Sequence, residues 1–117
     1  MINYKKINVA EEARTELHQQ LNLTGAEISI NLLPAGSNIP FIHSHKQNEE
    51  IYAILEGEGK AIIDNETITL QAGDWIRISP TAKRQFFASQ TKAMKYICIQ
   101  VKENSLKEFT LSDAIIH

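Results

Sequence analysis

The sequence predicts an all-β sandwich or barrel preceded by one short helix. Two observations carry this: eight short runs of strand-forming residues follow Gly25 at close spacing, and turn residues separate nearly every pair of them. The helix is expected near 9–20. Asn8 followed by Glu11 has capping-box character, and Ala10, Ala13, Leu17 and Leu21 recur at helical spacing. The strand candidates are 28–32, 39–45, 50–56, 59–64, 67–70, 74–78, 85–88 and 94–102. Ile28-Ser29-Ile30-Asn31-Leu32 alternates cleanly between apolar and polar, as a half-buried strand should. Pro34-Ala35-Gly36, Gly57-Glu58-Gly59, Asp64-Asn65-Glu66, Ala72-Gly73-Asp74 and Ser79-Pro80 are the punctuation. The tail from Asn104 to His117 carries an apolar end, Ala114-Ile115-Ile116, expected to pack on the barrel or on a partner subunit.

At 117 residues, 43% apolar and 22% charged, the chain fits one soluble domain with a modest core, which a dimer interface would extend. A net charge of −2 argues against nucleic-acid or anionic-membrane partners held by bulk electrostatics. Cys98 is the single cysteine, so no internal disulfide forms. The first eight residues are polar and no run approaches a membrane span, which leads to the expectation of a complete, cytoplasmic protein.

The chemistry concentrates in His43-Ser44-His45 and Glu50. Two histidines at i and i+2 on a strand share a face, with Cα atoms about 6.6 Å apart at a rise of about 3.3 Å per residue. If 46–49 form a turn, His45 lies opposite Glu50 and His43 opposite Tyr52, on one face. A two-histidine, one-carboxylate set with open positions suits Fe(II), Mn, Ni or Zn. The same pair also reads as two polar residues beside a turn, and Glu49 competes with Glu50 for the carboxylate role.

The stretch from Gly36 to Gly57 resembles the first motif of the cupin superfamily: Gly, His-x-His, a short gap, Glu, six residues, Gly. That spacing selects Glu50 over Glu49. The stretch from Gly73 to Gln85 resembles the second motif, with Ala82 at a usual glycine and Gln85 where the family places its last metal-binding histidine. The resemblance implies a double-stranded β-helix, or jelly-roll barrel, over 25–102, often assembled as a homodimer. It implies one divalent metal ion (Fe, Mn, Ni or Zn) on His43, His45 and Glu50, with Gln85 either a weak fourth ligand or a pocket-lining residue. Alternation adds Phe41, Tyr52, Ile54, Ile78 and Phe87 to the expected pocket wall. Glu50 and Tyr52 are the candidate catalytic groups, the first as ligand or base, the second as acid. Two functions remain open: a metal-dependent enzyme of oxygenase, isomerase or lyase type acting on a small organic molecule, and a non-enzymatic ligand-binding or sensor protein with a weak or vestigial metal site.

Overall fold

The computed structural model describes residues 3–117. Seven strands and one short helix follow in order: β1 (Arg14–Glu16), β2 (Glu27–Leu33), β3 (Asn48–Ile63), β4 (Glu66–Gln71), β5 (Trp75–Ile78), β6 (Arg84–Ala88), β7 (Met94–Lys102) and α1 (Thr110–Asp113). All strand pairings are antiparallel. One sheet runs β1-β2-β7-β3-β5, and the other pairs β4 and β6 with the second half of β3. The inner faces of the two sheets meet in the jelly-roll core.

β3 is the hinge of the barrel, because its 16 residues serve both sheets. The crossing is made by a bulge between Ile54 and Glu56 and by Gly57, whose φ is +79°. A Cβ at Gly57 would lie 1.7 Å from the Ala93 carbonyl oxygen, so no side chain fits where the strand turns the corner. The core alternates along the strands as the pleat requires: Leu33, Tyr52, Ile54, Ala61, Phe86, Ala88, Met94, Tyr96 and Cys98 all point inward and are buried.

Two local expectations differ from the structure. Residues 9–20 form no helix. Arg14–Glu16 pairs with β2 instead, burying Thr15 and Leu17 two apart, the strand period. An unfilled sheet edge outcompetes a weak helical repeat. Residues 39–45 are not a regular strand either. Pro40 cannot donate to a ladder, so the backbone of the segment pairs with β6 only at isolated bridges, Asn38–Phe87 and His43–Arg84. The tail carries a helix at Thr110–Asp113, and its Leu106, Phe109, Leu111, Ile115 and Ile116 stand exposed, which removes packing on the barrel and leaves a partner subunit as the expected cover. Trp75 is 67% exposed.

Candidate metal centre

The two halves of the barrel each supply part of the site. Glu50 comes from the first half of β3, paired with Ile78 of β5 on one side and Gln100 of β7 on the other. His43 and His45 come from the looped segment against β6. The His43 and Arg84 backbones exchange hydrogen bonds of 3.1 and 3.0 Å, and the His45 N–H donates to the Pro80 carbonyl at 2.7 Å. The histidines therefore do not oppose β3 across a tight hairpin, as the spacing suggested. They face Glu50 across the barrel, and the sharing of one face comes from the closed fold.

The donor atoms of His43, His45 and Glu50 all lie within 4.8 Å of one another. His43 Nε2 is 3.6 Å from Glu50 Oε1, and His45 Nε2 is 3.2 Å from Glu50 Oε2. His45 Nε2 is buried yet makes no hydrogen bond despite that proximity, and His43 Nδ1 is a second buried nitrogen without a partner. Buried polar atoms are normally satisfied. Lone pairs on separate side chains converging on one point are the arrangement a cation completes, since cis ligands about 2.1 Å from a centre sit about 3 Å apart. The residues present thus fit a divalent ion, with His43, His45 and Glu50 as its ligands.

Glu50 is held by more than the histidines. It is 2% exposed. Oε1 accepts the Tyr52 hydroxyl at 2.8 Å and Arg84 Nη1 at 3.1 Å, and Oε2 accepts the Cys98 thiol at 3.2 Å. Burial alone would raise its pKa. The close approach of His43, the hydrogen bonds from Tyr52 and Cys98 and the charge of His45 outweigh it and hold the carboxyl at about 2, against 4.5 for an ordinary glutamate. The Arg84 guanidinium acts in the same direction. Burial pushes the Cys98 thiol up to about 12 and the Tyr52 hydroxyl far above its usual value, with the Glu50 charge adding to both. Both groups stay protonated and donate to Glu50. Cys98 is no thiolate nucleophile, and Tyr52 orients the carboxylate rather than presenting a free acid to the cavity.

A depressed carboxyl pKa in the folded chain stabilises it above the unfolded pKa and is lost as pH falls. In the metal-free protein this contribution is complete above pH 4.5 and disappears towards pH 2, and the shift corresponds to about 3 kcal/mol. Urea unfolding at pH 6, 4 and 3 is expected to show this loss in the wild type and a flatter dependence in Glu50→Gln. Equal acid sensitivity in both would show that Glu50 does not carry it.

His43, His45 and Glu50 line a cavity of about 640 Å³. Phe41 and Tyr52 line it, as do Leu33, Ile39, Phe86 and Tyr96. The Tyr52, Phe86 and Tyr96 rings pack on one another with centroids 4.3, 5.7 and 5.8 Å apart. Four expected residues are corrected. Ile54 and Ile78 are 3% and 2% exposed and belong to the packed core, because the aromatic rings occupy the level of the barrel that the cavity reaches. Gln85 and Phe87 point to the other face of β6. Gln85 Nε2 donates to the Ile39 carbonyl at 2.8 Å, and Lys60 lies over the Phe87 ring at 5.2 Å. Gln85 is therefore no metal ligand. The inward residues of β6 are Arg84, Phe86 and Ala88. The phase of this strand is hard to read because Phe86 and Phe87 are adjacent. The alternation Arg84-x-Phe86-x-Ala88 is its only signal.

The family model described as the cupin domain matches residues 30–100. The chain belongs to that family. A cupin protein from Bacteroides fragilis is 56% identical over 100% of this chain and 99% of its own, with a TM-score of 0.98. An uncharacterized protein from Methanocaldococcus jannaschii is 36% identical over 67 residues, which is 57% of this cupin and 53% of the relative, so the match spans about half of that protein. A predicted oxalate decarboxylase from Thermotoga maritima is 23% identical over 64% of each chain at a TM-score of 0.60. A Photorhabdus luminescens protein is 15% identical over 90% of this chain and 92% of its own at 0.70. At those last two identities the likeness is one of fold. Among the described residues of this cupin, no helix is long and apolar enough to cross a membrane.

Proposed function

We propose that this cupin binds one divalent metal ion on His43, His45 and Glu50 and acts on a small organic molecule held in the cavity, by chemistry of oxygenase, isomerase or lyase type. One observation carries the reading: three ligand side chains converge, the His45 nitrogen facing Glu50 being buried and without a hydrogen bond, on the wall of a largely apolar cavity. A metal there supplies Lewis-acid polarisation of a bound oxygen, or redox chemistry if it is iron or manganese. The chain's own residues supply the rest. Tyr52, Arg84 and Cys98 keep Glu50 ionised and aimed, and the aromatic wall excludes water around the ligand.

A second reading has its own support. Arg84 already neutralises the only carboxylate of the ligand set, which favours a ligand-binding cupin whose metal is weakly held. Plasma mass spectrometry on protein purified without tag or chelator separates the two. Near one equivalent of Fe, Mn, Ni or Zn per chain supports the enzyme, whereas no metal, and none taken up on titration, leaves the binding protein.

A homodimer belongs to the same proposal. Leu55 and Trp75 are exposed on the outer face of the β1-β2-β7-β3-β5 sheet, and five large apolar side chains of the tail are 67–97% exposed. A second copy covers such surface at little cost. Light scattering is expected to give twice the chain mass, and Trp75→Glu to lower it. A monomer at tens of micromolar, about the upper cellular range, would reject the dimer.

A further inference from the structure

The inner face of β2 carries two buried polar residues that the metal site does not use. Ser29 is 2% exposed and Asn31 6%. They form a relay to the edge of the sheet: Asn31 Nδ2 donates to Ser29 Oγ at 3.0 Å, and Arg14 Nη1 donates to Asn31 Oδ1 at 2.8 Å. Arg14 lies on β1 directly opposite Asn31, and both line the cavity. An apolar pair at 29 and 31 would pack the barrel more simply. What the buried amide does is fix a guanidinium. Arg14 is the only lysine or arginine on the cavity wall among the described residues. Its Nε faces Glu16 at 3.1 Å in an exposed pair, its side chain 51% exposed and that of Glu16 56%, so the forked end keeps donors free. At the far end of the cavity Arg84 balances Glu50. The electrostatic asymmetry of the cavity therefore rests on Arg14.

We propose that the cavity takes an organic acid, its carboxylate held by the Arg14 guanidinium and its apolar body lying along Leu33, Ile39, Phe86 and Tyr96 towards the His43–His45–Glu50 end. A planar guanidinium with two free donors matches a carboxylate in a way that a neutral amide or alcohol does not. This deepens the reading of the cavity as a ligand site and does not depend on the metal.

The test uses isothermal titration of the metal-free and the zinc-loaded protein with 4-phenylbutyrate and octanoate and with their primary amides. In both forms at least one acid is expected to bind about tenfold tighter than its amide, the usual strength of a charge-assisted hydrogen bond. Arg14→Gln is expected to bring acid and amide within about twofold by weakening the acid more than the amide, and Arg14→Lys to keep part of the preference. Arg14 is half in solvent, so these variants fold, which circular dichroism checks. Equal binding of acid and amide by the wild type, an acid preference that survives Arg14→Gln, or no acid binding below about 10 mM, far weaker than a built site gives, each overturns the proposal. Failure of the metal reading alone is distinguishable: the protein then takes up no zinc, and the acid-to-amide ratio of the metal-free form still reports on Arg14.

Discussion

Replacing both His43 and His45 by alanine is expected to abolish stoichiometric metal uptake and leave the barrel folded. The two imidazoles are two of the three protein ligands. At roughly 3 kcal/mol per ligand, losing both weakens binding by about 10⁴-fold, below detection at micromolar protein. The fold is insulated from this change. The histidine side chains are 30% and 24% exposed at the cavity wall, while the core rests on Tyr52, Ile54, Phe86, Met94 and Tyr96. Unfolding free energy in the metal-free state is therefore expected to move by about 1 kcal/mol or less. Plasma mass spectrometry and urea titration on the same preparation read both quantities. Full metal occupancy in the double variant would place the ion elsewhere. Loss of folding without metal would mean that the histidines hold the segment over 39–45 in place by themselves.

The sequence reveals these three ligands because they depend on local order. His-x-His puts two side chains on one face of any extended segment, and the spacing to Glu50 matches the family motif, although it is the closed barrel, not a local reversal, that brings the carboxylate to them. The fourth position is different in kind. Its identity depends on which face of β6 turns inward, and Arg84-Gln85-Phe86-Phe87 offers an apolar residue to either face. The cross-strand bridge from His43 to Arg84 sets the phase, and a single sequence does not contain that pairing. The first strand escapes sequence reading for a similar reason. Arg14–Glu16 is a strand because β2 leaves an edge for it, while the local spacing of alanines and leucines favours a helix. Asn31 and Ser29 sit in the cleanest alternating strand of the chain, but their inward orientation places polar atoms where the pattern promises apolar ones. Patterns of period two reveal faces. They do not say which face a closed barrel turns inward.

Arg84 gives the sharpest test of that phase. Arg84→His is expected to tighten metal binding by at least tenfold and Gln85→His to leave it unchanged. In the wild type a buried guanidinium, 0% exposed, lies 3.1 Å from the carboxylate that the metal must share. A single charge and a dication about 5 Å apart repel by about 6–7 kcal/mol at an effective dielectric near 20, so even a small fraction of that repulsion outweighs a tenfold gain. An imidazole at 84 removes the competing charge and adds a donor beside His43. Its cost falls on the metal-free protein. Glu50 loses its buried, permanently charged partner while remaining buried, and breaking such a pair lowers stability by roughly 3–5 kcal/mol. The variant should therefore melt early without metal and recover when zinc is added, because the ion now supplies the positive charge that Arg84 supplied. Calorimetry with and without zinc reads this directly. If Gln85→His tightened binding and Arg84→His did not, residue 85 would occupy the ligand position and β6 would run in the opposite phase. If neither variant changed affinity while the wild type bound metal, three ligands would suffice, and the role of Arg84 would be to hold Glu50 ionised until the ion arrives.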